Sequence, residues 1–358
     1  MRKLLSVLLC VVIICSFSLN TFAVENLDTT AEYLLKTVQN PTVAVIGGEW
    51  AVLGLARSGK ADSEFFAKYY QNAEDYIKSK NGVLHTKKYT EYSRVILSLT
   101  AIGKDATNVA GYDLTEPLED FDKTVYQGVN GAIFALIALD SGDYECDIRQ
   151  KYVDYILEKQ LGDGGWALSG ESADADVTAM ALQALAKYQH IDRVKNATDK
   201  ALALMSKKQL ASGGFSTHGE ETAESAAQMI VALSELGIPL DDARFVKNGN
   251  TLLDAMLLYR LPSGGFKHLK AQTSADGMAT EQCFYALVAA ERASNGKSSL
   301  YRMSDAKQTN VNMSLFEKYK MFYYGIAEDL NVLVAKENTT GITLKDILYK
   351  ILEGIRML

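Results

Sequence analysis

The sequence is poor in proline, cysteine and histidine, with four of each among 358 residues. Scarce proline favours uninterrupted helices over a β architecture with proline-rich turns. Cys10 and Cys15 lie in the apolar N-terminal segment, so only Cys146 and Cys283 remain for the folded chain. Two cysteines are too few for a disulfide framework, and whether they form one bridge stays open at this point. The scattered histidines show no metal-ligand spacing.

The sequence also lacks an excess of basic residues. Its net charge is −7, which argues against nucleic acid as a partner. With 48% hydrophobic residues, the chain can bury one large core or two modest ones, which argues against disorder and coiled coil. It contains no glycine-rich phosphate loop and no nucleophile elbow. We therefore expect neither a metal nor another cofactor.

The first residues have the pattern of a secretory signal peptide. The stretch "MRKLLSVLLCVVIICSFSLNTFA" combines a basic start, an apolar run and a small residue at its end. We predict residues 1–23 as the signal peptide, with cleavage after Ala23 and a secreted, extracellular mature chain. The alternative is a retained anchor, but the apolar run is shorter than the roughly 20 residues that a membrane span needs. With a cleaved signal peptide, the chain contacts a membrane only before cleavage.

One short sequence motif occurs three times in similar form. "QLGDGGW" begins at Gln160, "QLASGGF" at Gln209 and "RLPSGGF" at Arg260, a period of about 50 residues, which is typical of repeat folds. An amphipathic helix is predicted before each copy, and after each copy an alanine-rich helix that is apolar nearly all round. The glycines mark the turn between the two helices, and we expect a positive φ at one of them.

Fainter copies upstream bring the number of predicted helical hairpins to six. "GGEWAVLGLARSG", "TEYSRVILSLTAIG" and "VNGAIFALIALDSG" each predict a buried helix, and a polar amphipathic segment precedes each one. Closing six hairpins into a ring would bury both ends of the array. We therefore predict an all-α fold, an (α/α)6 toroid over residues 24–296, followed by a short C-terminal helical extension over residues 297–358.

These repeats resemble a known superfamily. The glutamine–glycine–glycine–aromatic motifs are similar to the repeats of the prenyltransferase and squalene–hopene cyclase superfamily, whose members are α/α barrels with a central cavity. The upstream copies resemble secreted prenyltransferase-like proteins of Gram-positive anaerobes. The resemblance covers most of the mature chain and implies the toroid, but it leaves the activity open because this fold serves both catalysts and binding proteins.

Inner helices of such a ring run parallel, so their N-terminal ends meet at one mouth of the cavity. We predict a ligand-binding, acidic mouth at these ends, formed by Glu49, Trp50, Glu91, Asn130, Asp174, Asp176, Glu221, Glu224 and Glu281. Acidic residues in the first turn also cap helices, and this alternative stays open for each of them.

Two stretches resemble catalytic motifs only in part. "DADVTA" is similar to the DxDDTA motif of class II terpene cyclases, which would make Asp174 and Asp176 catalytic and Asp176 the general acid, but Val177 replaces the third aspartate. We expect Asp176 to be ionised and held by backbone amides instead. "EQC", from Glu281 to Cys283, resembles part of the zinc site of protein prenyltransferases, yet no histidine follows His268.

These observations favour a secreted, non-catalytic toroid that binds a small molecule or a peptide in its cavity. The alternative is a terpene cyclase or prenyltransferase-like enzyme that uses Asp176 as its acid.

Overall fold

In a computed structural model of the chain, residues 26–217 and 219–306 are described. The predicted signal peptide (1–23) lies outside these ranges, as do residues 307–358 of the predicted C-terminal extension. Within the described ranges, no helix combines the length and the apolar character needed to cross a membrane.

The described residues form two sets of helices that alternate along the chain. The inner helices are α2 (Glu49–Ser58), α4 (Thr90–Ala101), α6 (Val129–Ser141), α8 (Ala175–Leu185), α10 (Ala223–Glu235) and α12 (Gly277–Ser294). The outer helices are α1 (26–37), α3 (Ser63–Ser79), α5 (Phe121–Thr124), α7 (Arg149–Glu158), α9 (Asp192–Lys208) and α11 (Leu252–Leu257). Short 3-10 helices cover Glu116–Glu119, Val125–Gln127, Ala186–Tyr188 and Ala243–Phe245, and β1 (Ser216–Thr217) pairs antiparallel with β2 (Glu220–Glu221).

Burial separates the two sets as the sequence predicts. Every residue of α10 is buried, because its alanines and aliphatic residues face neighbours on all sides. In α9 the buried residues recur every three or four positions, among them Val194, Ala197, Ala201 and Met205, while the charged residues face outward. The outer helices therefore expose a polar face, while their buried side chains join the inner helices in the core.

The third outer segment is broken, whereas the sequence predicts one amphipathic helix near Leu118–Tyr126. The backbone of Asp120 is extended, and its carboxylate accepts a hydrogen bond from the Lys123 amide at 3.1 Å. This bond caps the start of a new helix, so α5 is a single turn between two 3-10 helices.

Contacts between inner helices follow the order of the chain. Each of α2, α4, α6, α8 and α10 contacts the next inner helix, and α12 contacts α2. The outer helices α3, α7, α9 and α11 each contact the inner helix that precedes them.

The three glycine turns share one backbone geometry. In the first turn, the Leu161 amide donates to the Gly165 carbonyl at 2.8 Å and the Gly164 amide donates to the Leu161 carbonyl at 2.9 Å, and the other two turns repeat this pattern. The first glycine of each pair has a positive φ: 101° at Gly164, 89° at Gly213 and 96° at Gly264. The second glycine is required for space instead, since a Cβ on Gly165 would lie 2.4 Å from the Ala173 Cβ.

Each turn also binds the next outer helix or the segment leading to it. The Gln160 side-chain amide donates to the carbonyls of Gly164 at 2.7 Å and Ala197 of α9 at 2.9 Å. Gln209 makes the equivalent bonds within the second turn and to the carbonyl of Phe245, before α11.

The third turn binds the first helix of the chain. The Arg260 guanidinium donates to the Thr29 hydroxyl, and the Thr30 hydroxyl donates to the Gly264 carbonyl at 2.9 Å. Helix α1 therefore occupies the same place against the third turn as α9 does against the first.

Residues 299–306, which we call the C-terminal plug, cover the C-terminal ends of inner helices. The Arg57 side chain, near the end of α2, donates to the Leu300 carbonyl at 3.1 Å. The carboxylate of Glu235, the last residue of α10, accepts from the Tyr301 amide at 3.1 Å. Leu300 and Tyr301 are 0% and 5% exposed, so the plug is part of the core.

Candidate functional site

A cavity of about 230 Å³ lies near the N-terminal ends of the inner helices, and all six of these helices contribute to it. Its lining mixes aromatic, amide and charged side chains: Trp50, Thr90, Glu91, Arg94, Asn130, Phe134, Met180, Gln228, Gln282 and Tyr285. The C-terminal plug covers the opposite ends of the helices, so we expect a ligand to enter from the N-terminal side.

One side of the cavity is aromatic. The Trp50 ring lies 5.8 Å from the ring of Phe134 and 5.7 Å from that of Tyr285, between centroids, and both pairs are tilted. These residues come from α2, α6 and α12. Tilted pairs of this kind hold their rings in place, so the cavity has a firm apolar surface.

Amide side chains form a second surface. Gln183 Nε2 of α8 donates to Gln228 Oε1 of α10 at 2.9 Å. Gln228 Nε2 in turn donates to Gln282 Oε1 at 2.7 Å and to the Tyr285 hydroxyl at 2.6 Å, both on α12. These bonds use both amide hydrogens of Gln228, which fixes its orientation. The amide hydrogens of Gln282 and the hydroxyl hydrogen of Tyr285 are not used by these bonds.

A charged corner completes the lining. Arg94 forms an ion pair with Glu91, both on α4. Burial raises the pKa of two neighbouring carboxyl groups, those of Glu49 and Glu281, and the positive charge of Arg94 acts in the opposite direction by lowering both pKa values. Among the described residues, Arg94 Nε and Glu49 Oε2 are buried without a hydrogen-bond partner. Of these two residues, Arg94 belongs to the cavity lining and Glu49 does not.

Glu49 and Glu281 hold the segment that leads into α2. Glu49 is 1% exposed and accepts from the Ala44 amide at 2.9 Å, while Glu281 is 3% exposed and accepts from the Gly47 amide. Burial raises the pKa of both carboxyl groups, that of Glu281 to about 7, and the charge of Glu49 adds to the increase at Glu281.

The two aspartates of "DADVTA" have different roles. Asp174 is the N-cap of α8, and its carboxylate accepts from the Val177 amide at 3.0 Å. Asp176 lies 3.5 Å from the Thr217 hydroxyl, and burial raises its pKa to about 6, against the effect of the Ser225 hydroxyl. Asp174 thus has the capping role that the sequence assigns to Asp176. The reason is that Asp174 has the extended backbone of an N-cap residue, whereas Asp176 lies inside the first turn of the helix.

Comparisons with known proteins bear on the fold. No family model matches the chain, and no curated protein matches it. A solved polysaccharide lyase is similar, with a TM-score of 0.56 and 10% identity over 77% of this chain and 98% of that chain. The type II terpene cyclase MstE from Scytonema has a TM-score of 0.51 and 14% identity, over 76% of this chain and 99% of that chain. A variant of this cyclase in complex with geranylgeranyl dihydroxybenzoate, its substrate, has a TM-score of 0.51, with 13% identity over 77% and 99% of the two chains.

The chain has an α/α toroid-like fold. At these identities the likeness concerns the fold alone, which is helical as the sequence predicts. What the cavity can bind therefore follows from its own lining residues.

Two predicted mouth residues are engaged in bonds away from the cavity. Glu221 accepts from the Ser212 hydroxyl at 2.7 Å and from the Lys270 ammonium at 2.7 Å. Glu224 lies 2.9 Å from His268 Nδ1, so this histidine has a defined carboxylate partner. These bonds fasten the loops that follow the second and third turns.

Of the predicted mouth residues, the structure places Trp50, Glu91 and Asn130 in the cavity lining. Sequence reasoning missed Arg94 and the two glutamines, Gln228 and Gln282. A signal was present, because each is a polar residue in the first two turns of an inner helix, at the end where the mouth is predicted.

The two remaining cysteines are free thiols. Cys283 is 0% exposed on α12, and burial raises its pKa well above the ordinary value. Within residues 26–217 and 219–306, no group of three or more histidine, cysteine or acidic side chains is placed to hold a metal ion.

Proposed function

We propose that the six hairpins close into a ring and that this toroid is an exported, non-catalytic binding module, with a small polar ligand in its central cavity. The contact of α12 with α2 and the bonds of the third turn to α1 support closure. The N-terminal sequence pattern supports export. Membership of the prenyltransferase and squalene–hopene cyclase superfamily, in its secreted branch, is part of this proposal.

The composition of the cavity lining carries the binding proposal. Ligand pockets combine an apolar wall with a few placed polar groups, and here Trp50, Phe134 and Tyr285 face amide and charged side chains. Pockets for drug-sized molecules measure about 300–1,000 Å³. A cavity of about 230 Å³ therefore suits a smaller ligand with several hydrogen-bonding groups.

Thermal denaturation tests this proposal. We expect at least one class among amino acids, nucleosides, polyols and monosaccharides to raise the melting temperature of the mature protein. The increase should shrink in Gln282→Ala, because that change removes hydrogen-bonding groups from the cavity.

The matched control is Gln150→Ala, since Gln150 is exposed on the outer helix α7 and bonds only to Asp154 in the described structure. Protection of equal size in wild type and Gln282→Ala would place the ligand outside the cavity and contradict the proposal. No protection by any class would also contradict it.

One observation favours a second function. The raised pKa of Asp176 means that a fraction of its carboxyl groups carry a proton near neutral pH, as a general acid requires. Against this function, the cavity of about 230 Å³ is small for a long isoprenoid chain, and it has polar as well as aromatic lining residues.

Incubation of the mature protein with squalene and with prenyl diphosphates tests the cyclase alternative. We expect extracts to contain no cyclised or transferred product. Product that forms with the wild type and disappears in Asp176→Asn would make the protein an enzyme.

A further inference from the structure

We propose that the ligand of the central cavity is a single sugar ring, a neutral hexose or an amino sugar, and that sugars carrying a carboxylate are rejected. This inference rests on the proposed binding function and names its ligand class.

The aromatic surface fits one face of a pyranose ring. Such a ring carries its C–H groups on its faces and its hydroxyls around its edge. Trp50 and Phe134 are partly exposed and Tyr285 is buried, and the Trp50 ring is held at 59° to Phe134 and 46° to Tyr285. A fixed indole provides a flat apolar surface for the C–H face at little loss of side-chain freedom.

The amide surface fits the hydroxyls at the edge of the ring. Gln228 already donates to Gln282 Oε1 and to the Tyr285 hydroxyl, and these bonds orient both groups. The Gln282 amide hydrogens and the Tyr285 hydroxyl hydrogen are then available as donors to ligand oxygens. Because the protein itself fixes these donors, binding a polyhydroxylated ring requires little rearrangement.

The charged corner suits a group that both donates and accepts. Glu91 offers acceptors and Arg94 offers donors, and both side chains line the cavity. A ligand group that pairs with both of them gains affinity. A hydroxyl group supplies both, whereas a carboxylate supplies only acceptors.

The charge balance of the corner argues against an acidic sugar. Three carboxyl groups, those of Glu49, Glu91 and Glu281, surround the single positive charge of Arg94. Arg94 already forms an ion pair with Glu91, so a sugar carboxylate has to compete with Glu91 for this guanidinium. An uncharged hydroxyl or the ammonium of an amino sugar does not depend on that competition.

The cavity size limits the ligand to one ring. The available volume is about 230 Å³, and the C-terminal plug covers the other end of the inner helices. A longer saccharide therefore has to extend out of the N-terminal mouth, with its terminal residue inside.

Saturation-transfer NMR and calorimetry test this inference with glucose, galactose, glucosamine, N-acetylglucosamine and glucuronate. We expect binding of at least one neutral or amino sugar, with saturation passing from aromatic protein protons to the ring C–H protons. Glucuronate should bind about tenfold more weakly or not at all.

Two variants locate the bound sugar. Gln282→Ala should weaken binding about tenfold, the effect of one lost hydrogen-bonding group. Asn130→Ala, on a different helix, should also weaken it, so a folding defect in either variant leaves the other as the test. Gln150→Ala is the control and should bind as the wild type does.

The outcomes separate this inference from the proposed function. If amino acids or nucleosides bind with the same dependence on Gln282 while no sugar binds, the sugar inference is wrong and the binding function stands. Glucuronate binding more tightly than every neutral and amino sugar would also overturn it. If no small molecule binds, both are wrong.

Discussion

Glu281 is the residue whose titration matters most near neutral pH. It is 3% exposed in the N-terminal part of α12, and its carboxylate accepts a hydrogen bond from the Gly47 amide. Burial is the largest cause of its raised pKa of about 7, compared with 4.5 for an unperturbed carboxyl group. The ionised form is therefore less favourable in the folded protein than in the unfolded chain.

This difference predicts that stability falls as the pH rises. Below pH 4.5 both states hold the proton, and between 4.5 and about 7 only the folded state holds it, so the stabilisation is lost as the pH rises through 7. We expect the melting temperature to decrease between pH 5 and pH 8. Glu281→Gln should flatten this decrease by a contribution on the order of 3 kcal/mol, measured by thermal denaturation across that range.

Asp176→Asn is the matched control, since the pKa of Asp176 is raised only to about 6 and contributes with the same sign. It should flatten the profile less than Glu281→Gln does. A melting temperature that stays constant or rises toward pH 8 in the wild type would show that burial of Glu281 does not determine how stability changes between pH 5 and pH 8.

At the scale of residues, the sequence provides candidate residues but not their individual roles. Of the acidic residues predicted at the mouth, Glu91 lines the cavity, whereas Asp174 caps α8 and Glu49 binds the segment before its own helix. These roles depend on backbone geometry and on loops that are not periodic. The amide bonds from Gln183 to Gln228 and on to Gln282 join three helices, so no local pattern contains them.

At the scale of elements, the glycine turns separate two physical requirements. Gly213 has a φ of 89°, and a Cβ there would lie 2.4 Å from the Thr251 carbonyl oxygen. Gly249 has a φ of 82°, but nothing lies within 4 Å of its Cβ position. The two sites share backbone strain and differ in available space.

Alanine at the two sites should therefore destabilise by different amounts. Gly249→Ala should lower the free energy of unfolding by about 1 kcal/mol, the effect of a left-handed conformation alone. Gly213→Ala should cost about 3 kcal/mol, because the backbone of the second turn must also move away from α11. Urea denaturation of both variants gives the comparison. Equal losses would mean that close packing at the turn has no part in stability.

The helices themselves are mostly predictable, because an apolar run or an amphipathic pattern extends over each. The exception is the third outer segment, where the Asp120 cap interrupts the expected helix. Side-chain capping depends on one residue and its backbone conformation, and a periodicity averaged over several turns does not detect it.

At the scale of the whole molecule, the repeat predicts the order of helices but not the C-terminal plug. Sequence analysis ends the ring at residue 296, yet Asp305 binds both Arg57 of α2 and Arg292 of α12. These contacts link charged side chains and backbone carbonyls from distant parts of the chain. No hydrophobic period marks such a segment, so the pattern that predicts the hairpins gives no signal for it.

The binding of α1 to the third turn has a consequence for folding kinetics. The hydrogen bond between Thr30 and Gly264 joins residues 234 positions apart. A contact of this separation forms only after much of the intervening chain is ordered, since closing a long loop loses entropy before the contact compensates for it. During synthesis α1 is made first and completes its contacts last, with Leu27, Ala31 and Leu34 still lacking part of their final surroundings. Among the described helices, we therefore expect α1 to be exposed longest to chaperones and to aggregation while the chain folds.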